Sequence, residues 1–464
     1  MSAAIAHPAP SVAVGSQARA ALAAAVLGFF VVTLDTVVVN VALPAIRADL
    51  GGGITGLQWL VDGYTLMFAA LLLSSGALTD RIGARRAYAG GIVVFVLASA
   101  ACAVAPGLTV LVAARFLQGS AAAVMMPASM ALIRQAYPDA GARGRALGVW
   151  AMGGAVASSA GPALGGALEL IDWRLIFLIN VPVGAVALGL LAGLRPSPRR
   201  DVPLDRVGQV TAVLALGGLT YAAIGAGAAG VTDPLVLAAA AVTVVALAAF
   251  IAGQTRGAHP MVPPDLVRAR GVAVLLAVGF AFMVGYYGLP FVLSLYLQQG
   301  RGLSALATGT VFVPMMLIGA VITPFSARIA ERLGRRAVIT TGLLTIALDL
   351  VALGLLAGVA SPRQLAVLMI PVGAAAPLVI PPAIGALLDS VPGDRSGMAS
   401  GLFNTSRQVG GALGVAVFGG LLADPATIGS GVRLSLLVAA AVLVVATAAA
   451  ATLPHPSREE THPL

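Results

Sequence analysis

Lysine is missing from this chain, and charge of either sign is sparse: Arg, Asp and Glu together make up 10% of 464 residues. A soluble domain of this length carries roughly 25% charged residues, so the shortage points to lipid as the surrounding medium. With no lysine, the 27 basic residues are all arginine and the net charge is +9. A nucleic-acid partner does not follow, because the arginines sit in short stretches between apolar blocks and form no continuous basic face. Cysteine is reduced to Cys102, inside an apolar run, which excludes disulfides and cysteine-built metal sites. The four histidines, His7, His259, His455 and His462, all fall outside the apolar runs, so no buried imidazole is at hand as ligand or proton carrier. A nucleotide loop, a metal cluster and a nucleophile paired with a base are all lacking, and the glycine-rich stretches lie within apolar runs. An enzyme is therefore not expected, nor a metal or an organic cofactor.

What is present is apolar: 59% of the chain. Runs of about twenty apolar residues match a hydrocarbon core about 30 Å thick crossed at about 1.5 Å per residue. They fall at 22–43, 56–78, 87–105, 108–133, 144–168, 174–194, 205–226, 234–254, 271–296, 304–327, 337–358, 363–388, 398–423 and 431–453, which predicts an all-α polytopic membrane protein of fourteen spans. The first run is too long, and too poor in early basic residues, for a cleaved signal peptide. Arginine favours cytoplasmic loops. With this numbering twenty arginines lie in the two tails and the even-numbered loops, five (Arg47, Arg174, Arg301, Arg363 and Arg433) on the opposite side, and Arg115 and Arg407 within spans. Both termini are thus expected in the cytoplasm, with the chain in the inner (cytoplasmic) membrane.

An internal repeat divides the chain. Asp80-Arg81-Ile82-Gly83-Ala84-Arg85-Arg86 after span 2 and Glu331-Arg332-Leu333-Gly334-Arg335-Arg336 after span 10 share acid, arginine and glycine at a constant offset of 251 residues. Both loops follow an even span, so the halves are parallel repeats of six spans. The resulting plan is a cytoplasmic tail (1–21), a six-helix bundle (22–194), a linker (195–270) holding an extra pair at 205–226 and 234–254, a second bundle (271–453) and a tail (454–464). Parallel halves about a central site imply alternating access by rocking.

Several spans carry chemistry. Asp35 lies mid-span in Leu34-Asp35-Thr36-Val37-Val38-Val39-Asn40-Val41-Ala42-Leu43-Pro44, where an ionised carboxylate is costly. Asp62, in Trp59-Leu60-Val61-Asp62-Gly63-Tyr64, is a second acid nearer the outer end, and Asp349 in span 11 is a third candidate. Arg115, Gln118, Gly119, Ala122 and Met126 fall on one face of span 4. An arginine at that depth costs about 2.5–3.5 kcal/mol, so it faces a wet cavity or pairs with an acid or carbonyls. In span 5, Gly161 and Gly165 stand one turn apart beside Pro162 and Gly166, which permits close helix approach and a bend. Span 13 places Asn404 and Arg407 ahead of Gly410 and Gly414 at the same spacing. Span 9 gathers Phe280, Phe282, Tyr286, Tyr287, Phe291 and Tyr296, a surface for stacking on flat or cationic molecules, and equally a surface for lipid.

Taken together these motifs resemble the fourteen-span drug:proton antiporter family of the major facilitator superfamily, from about residue 30 to residue 425. The resemblance implies a major facilitator fold and a proton-coupled exporter of drugs, antibiotics or other small hydrophobic or cationic compounds, a monomer driven by the proton gradient. It gives Asp35, Arg115 and Asp62 to proton coupling. It makes Gly76, Asp80, Arg81, Gly83, Arg85 and Arg86, with Glu331, Arg332 and Gly334, a conformational latch of weak surface ion pairs. Gly161, Pro162, Gly165 and Gly166 match the motif that marks antiporters, with Ala157 where the family's first glycine is usual. Val37 stands where the family often has threonine. Asn40, Gln118, Met126, Tyr287, Phe291, Asn404 and Arg407 are candidates for the substrate pocket. A proton-coupled importer or facilitator shares every fold-level feature, and a sensor or scaffold that no longer transports is a further alternative.

Overall fold

The computed structural model describes residues 11–199, 203, 205–257, 260–262, 264–392 and 395–453. The tail assigned to 454–464 and the first ten residues lie outside them. All regular elements among the described residues are helical. The first bundle consists of α1 (Ser11–Leu50), α2 (Ile54–Ile82), α3 (Ala84–Ala103), α4 (Leu108–Ala136), α5 (Ala140–Glu169), and the pair α6 (Leu175–Leu178) and α7 (Asn180–Ala192). The linker forms α8 (Arg206–Ala229), α9 (Pro234–Arg256) and the short α10 (Pro264–Arg268). The second bundle contains α11 (Arg270–Leu295), a π-helical turn at Tyr296–Gly300, α12 (Ala305–Ile322), α13 (Ser326–Leu333), α14 (Arg335–Leu356), α15 (Pro362–Leu368), α16 (Ile370–Asp389), α17 (Ser396–Leu421) and α18 (Ile428–Ala450).

Eleven of these stretches are long and apolar enough to cross a membrane, or up to twelve when Ile54–Leu72 and Ser74–Ile82 of the bent α2 are taken as one span. The remaining two long helices are α5, with 30 residues, and α17, with 26. They coincide with the expected spans 5 and 13; their hydropathy is lowered by glycine and serine in α5 and by Asn404, Arg407 and Gln408 as well in α17. The helices also outrun the apolar stretches. α1 begins at Ser11 and ends at Leu50, well beyond 22–43, because the flanking alanine-rich sequence is a strong helix former.

The two bundles repeat one packing scheme. In the first, α1 lies on α4, α5 and α7; in the second, α11 lies on α16, α17 and α18. The bundles meet where α5 packs on α12, α2 on α17 and α1 on α11. The repeated loops are alike in backbone as well as sequence. Gly83 and Gly334 each end one helix and start the next at φ 89° and 86°, a conformation that only glycine adopts without strain. Arg85 donates to the carbonyls of Leu191 and Ala192, both at 3.0 Å, capping the end of α7. Its counterpart Arg336 donates to Leu453 O at 3.2 Å, just past α18.

Within the linker, Asp233 caps α9 ahead of Pro234 at the first helical position. α8 lies against both α2 and α17, along one seam between the bundles. Gln209 donates to Ala70 O at 2.9 Å, and Ser74 Oγ to Met261 Sδ at 3.3 Å, tying the linker to α2. Asp205 and Gln254 bond each other at 2.7 Å, and Gln254 accepts from Val262 N at 2.8 Å. Asp265 pairs with Arg395 beside α17, and that guanidinium holds its carboxyl below the usual carboxylate range.

Candidate functional site

Asp35 occupies the centre of the first bundle with no exposed surface, and Arg115 of α4, 1% exposed, forms an ion pair with its Oδ2. The arginine is satisfied on its other sides. Its Nε donates to Leu60 O of α2 at 3.0 Å, its Nη1 also reaches Gln118 Oε1 at 3.0 Å, and its guanidinium lies 4.4 Å from the centre of the Tyr64 ring. Asp35 Oδ1 accepts from Gln118 Nε2 at 3.2 Å and from Asn180 Nδ2 at 3.0 Å. Ser99 Oγ of α3 accepts from the same two amides, at 2.7 and 3.3 Å. Cys102 Sγ completes the cluster with a 3.3 Å contact to Gln118 Oε1. Five helices thus contribute to one buried charge centre. Separating such a pair by removing one partner costs about 3–5 kcal/mol, because the other charge is left buried alone.

The α5 motif lies directly beside it. A Cβ on Gly161 would stand 2.8 Å from Val37 Cγ1, and one on Gly165 2.7 Å from Val38 Cγ2, two and three residues beyond Asp35. The opposite face of the same helix turns to the second bundle. A Cβ on Gly166 would stand 2.8 Å from Leu306 Cα, and one on Gly309 of α12 2.5 Å from Pro162 O. α5 therefore touches the helix that carries Asp35 on one side and the partner bundle on the other.

The hydrogen bonds described between the bundles share one end. Arg47 donates to Gln299 Oε1 at 3.2 Å, Gln298 to Val41 O at 3.0 Å, and Gln58 to Ala416 O at 2.7 Å. Nearer mid-depth, Tyr287 donates to Thr36 O at 3.0 Å and Ser159 to Met316 O at 3.2 Å. All lie from mid-depth towards the end away from the repeated glycine loops. At the loop end the described bonds run through the linker.

Other expected residues are placed differently. Asp62 is not at a wet interface: it has no exposed surface, and neither carboxylate oxygen has a hydrogen-bond partner among the described residues. Asp349 is 8% exposed and its Oδ2 is likewise unpartnered. Among the described residues no ion pair involves Asp80 or Glu331, which are exposed together with Arg81, Arg86 and Arg332. The ion pair found in that region joins Arg335 to Asp389 instead. Gly76 faces open space.

The pocket candidates divide in the same way. Gln118 belongs to the charge centre. Phe291 is wholly buried in the apolar core of the second bundle, because its face of α11 is the packing face. Asn40 is buried with Nδ2 on Thr36 O at 3.1 Å and Oδ1 unpartnered. Met126 packs among apolar side chains near Trp150. Tyr287 is at the bundle interface, and Arg407 reaches Asn404 Oδ1 at 3.2 Å while its Nε has no partner. Sequence reasoning passed over Asn180, Ser99 and Tyr64, neutral residues whose importance is visible only once α2, α3 and α7 are packed on α1 and α4.

The Major Facilitator Superfamily profile matches residues 25–415, which is most of the chain. The chain belongs to the major facilitator superfamily. It is a multi-pass membrane transport protein on that ground and by its apolar helices. It is 34% identical over 423 residues to a methylenomycin A resistance protein of Bacillus subtilis, covering 90% of this chain and 91% of that one. It is 37% identical over 432 residues to the cephamycin export protein CmcT of Amycolatopsis lactamdurans, covering 87% and 84%. In structure it matches a POT family transporter solved with a thioalcohol-conjugated peptide, at a TM-score of 0.70 and 15% identity over 91% of this chain and 94% of that one. At that identity the likeness speaks for the major facilitator fold alone.

Proposed function

We propose that this major facilitator protein is a fourteen-span, proton-coupled exporter of drugs, antibiotics or similar small hydrophobic or cationic compounds. Spans 5 and 13 are α5 and α17, which cross the membrane despite their glycine content because both are buried against other helices. Both termini face the cytoplasm, as the arginine distribution requires. Export is supported by the names of the relatives, a resistance protein and an export protein, and by the α5 glycine–proline element. The direct hydrogen bonds between the bundles, which lie from mid-depth to the end away from the glycine loops, support a state whose outer end is held closed.

The observation that carries the coupling is the buried Asp35–Arg115 pair, two residues from the contact between α1 and α5. Protonation of Asp35 removes one charge from a pair that is buried in this conformation, and the resulting change in α1 passes through α5 to α12. One charge crossing 100 mV gains about 2.3 kcal/mol, and each pH unit adds about 1.4 kcal/mol. For a neutral substrate one proton per 100 mV sustains a gradient between about tenfold and a hundredfold. A monovalent cation exchanged for one proton forfeits the voltage contribution, and the buried Asp62 as a second carrier restores it.

The test uses the purified chain in proteoliposomes with an imposed pH gradient, with ethidium and methylenomycin A as probes. The wild type is expected to move a probe against its gradient with counterflow of protons, and Asp35→Asn to lose the coupling. Full proton-driven transport in Asp35→Asn removes Asp35 from the mechanism. Accumulation in the import direction replaces the exporter with an importer.

A further inference from the structure

The two oxygens of Asp35 have unlike surroundings. Oδ2 faces the guanidinium of Arg115, whereas Oδ1 faces two neutral amides, those of Gln118 and Asn180. These amides differ at their other ends. Gln118 Oε1 is held by Arg115 Nη1 and Cys102 Sγ, while Asn180 Oδ1 is buried and has no partner among the described residues. Ser99, between them, accepts from both amides, and no acceptor for its own hydroxyl hydrogen is described.

A carboxyl group that gains a proton changes from acceptor to donor at the protonated oxygen. The charge of Arg115 disfavours a proton on Oδ2, so Oδ1 is the oxygen that takes it. Two amide N–H groups then confront an O–H, and one amide has to turn. Gln118 cannot, because turning would break its bonds to Arg115 and Cys102. Asn180 can: a half-turn of its amide presents the unpartnered Oδ1 to the Asp35 hydroxyl and to that of Ser99.

We propose that Asn180 is the positioning residue that lets Asp35 alternate between charged and neutral forms, its amide donating to the carboxylate and, once turned, accepting from the acid. The proposal rests on the reading of Asp35 as proton carrier. One proton from water adds to Oδ1, Arg115 keeps its charge, and only hydrogen bonds change partners. The charged and titratable groups acting on this site are Arg115 from α4, Tyr64 from α2, Cys102 from α3 and Tyr287 from α11, with Asp62 acting on Tyr287. α7 and residues 153–165 of α5 contain none. The backbone supports the role. Asn180 is the first residue of α7, after the break at Ile179, so its main chain is fixed in a helix while its side chain has one free end.

Infrared difference spectra of the full chain in lipid, recorded between acid and neutral pH, need no substrate. The wild type is expected to show a carboxylic acid band that Asp35→Asn removes. Asn180→Leu, of similar shape but unable to bond, is expected to move that band to higher frequency and to slow proton-driven ethidium efflux about tenfold with ethidium binding unchanged. Asn180→Ser, whose hydroxyl donates or accepts as required, should recover most of the rate and shows that the fold survives change at this position. An unmoved band in Asn180→Leu, or coupling lost as fully in Asn180→Ser as in Asn180→Leu, overturns the role of Asn180. The absence of any Asp35-dependent band overturns the proton-carrier reading itself, a different result from an unmoved band.

Discussion

The two bundles share a frame and differ in what it contains. Gly83 and Gly334 turn the same corner, and Arg85 and Arg336 each cap the end of their bundle's last helix. Among the described residues a buried charge pair occurs in the first bundle only. At the repeat offset of 251, Asp35 corresponds to Tyr286 and Ser99 to Leu350, residues of a core without an ion pair. The second bundle has Arg407, incompletely bonded, and Asp349, with one oxygen unpartnered. The repeated frame thus does not carry the charge centre with it: the same helix packing is built in the second bundle around apolar and aromatic side chains.

The sharpest way to break this comparison is to remove one charge from each bundle. Arg115→Leu is expected to cost about 3–5 kcal/mol, since it strands Asp35, and Arg407→Leu less than about 1 kcal/mol. Cys102, the one cysteine and a buried one, reports the difference through its labelling by a thiol-reactive dye on heating. The double variant Asp35→Asn with Arg115→Leu should regain most of the lost stability and none of the proton coupling. Equal losses from Arg115→Leu and Arg407→Leu would end the claim that the bundles differ.

Next in size is the seam between bundles. Gly309→Ala drives a Cβ to 2.5 Å from Pro162 O and should disfavour the closed outer end by about 1–3 kcal/mol. Gly76→Ala meets nothing within 4 Å and should be neutral or mildly stabilising. With Cys102 replaced by serine and a cysteine placed at Gln298, labelling by an impermeant reagent should rise for Gly309→Ala alone.

The helix caps give a smaller contrast. Arg85→Ala removes two carbonyl bonds and Arg336→Ala one, each worth about 1 kcal/mol or less at the wet end of a helix. Thermal unfolding should order them in that sense. The smallest effect belongs to Asp265. Its carboxyl is held low by Arg395, so the pair stabilises above the ordinary carboxylate range and that contribution is lost as pH falls through the lowered value. Asp265→Asn should flatten the acid side of the stability curve slightly, and high salt should erase the difference.

Much of this frame was legible in the sequence. Hydropathy located the helices, the offset of 251 located the repeat, and depth alone implied that Arg115 needed an acid or carbonyls. The partners that complete the site were not legible. Asn180 and Ser99 are single polar residues in apolar runs, indistinguishable there from ordinary helix residues until four other helices are packed around them. Burial of Asp62 was not legible either, because distance along a span is a poor guide to exposure once other helices cover it. The latch loops are a further case: a loop sequence encodes which charges are available, and packing decides with which of them Arg335 pairs, here Asp389.

The outer seam carries one more consequence. Of the five hydrogen bonds described between the bundles, four end on main-chain carbonyls, those of Val41, Thr36, Ala416 and Met316. A carbonyl survives any change of side chain at its own position. The closure thus makes few demands on the identity of the residues it grips, and mutation can explore the neighbouring side chains without unlocking the door. A transporter built this way can vary its lining side chains by drift while the seam between its halves stays intact.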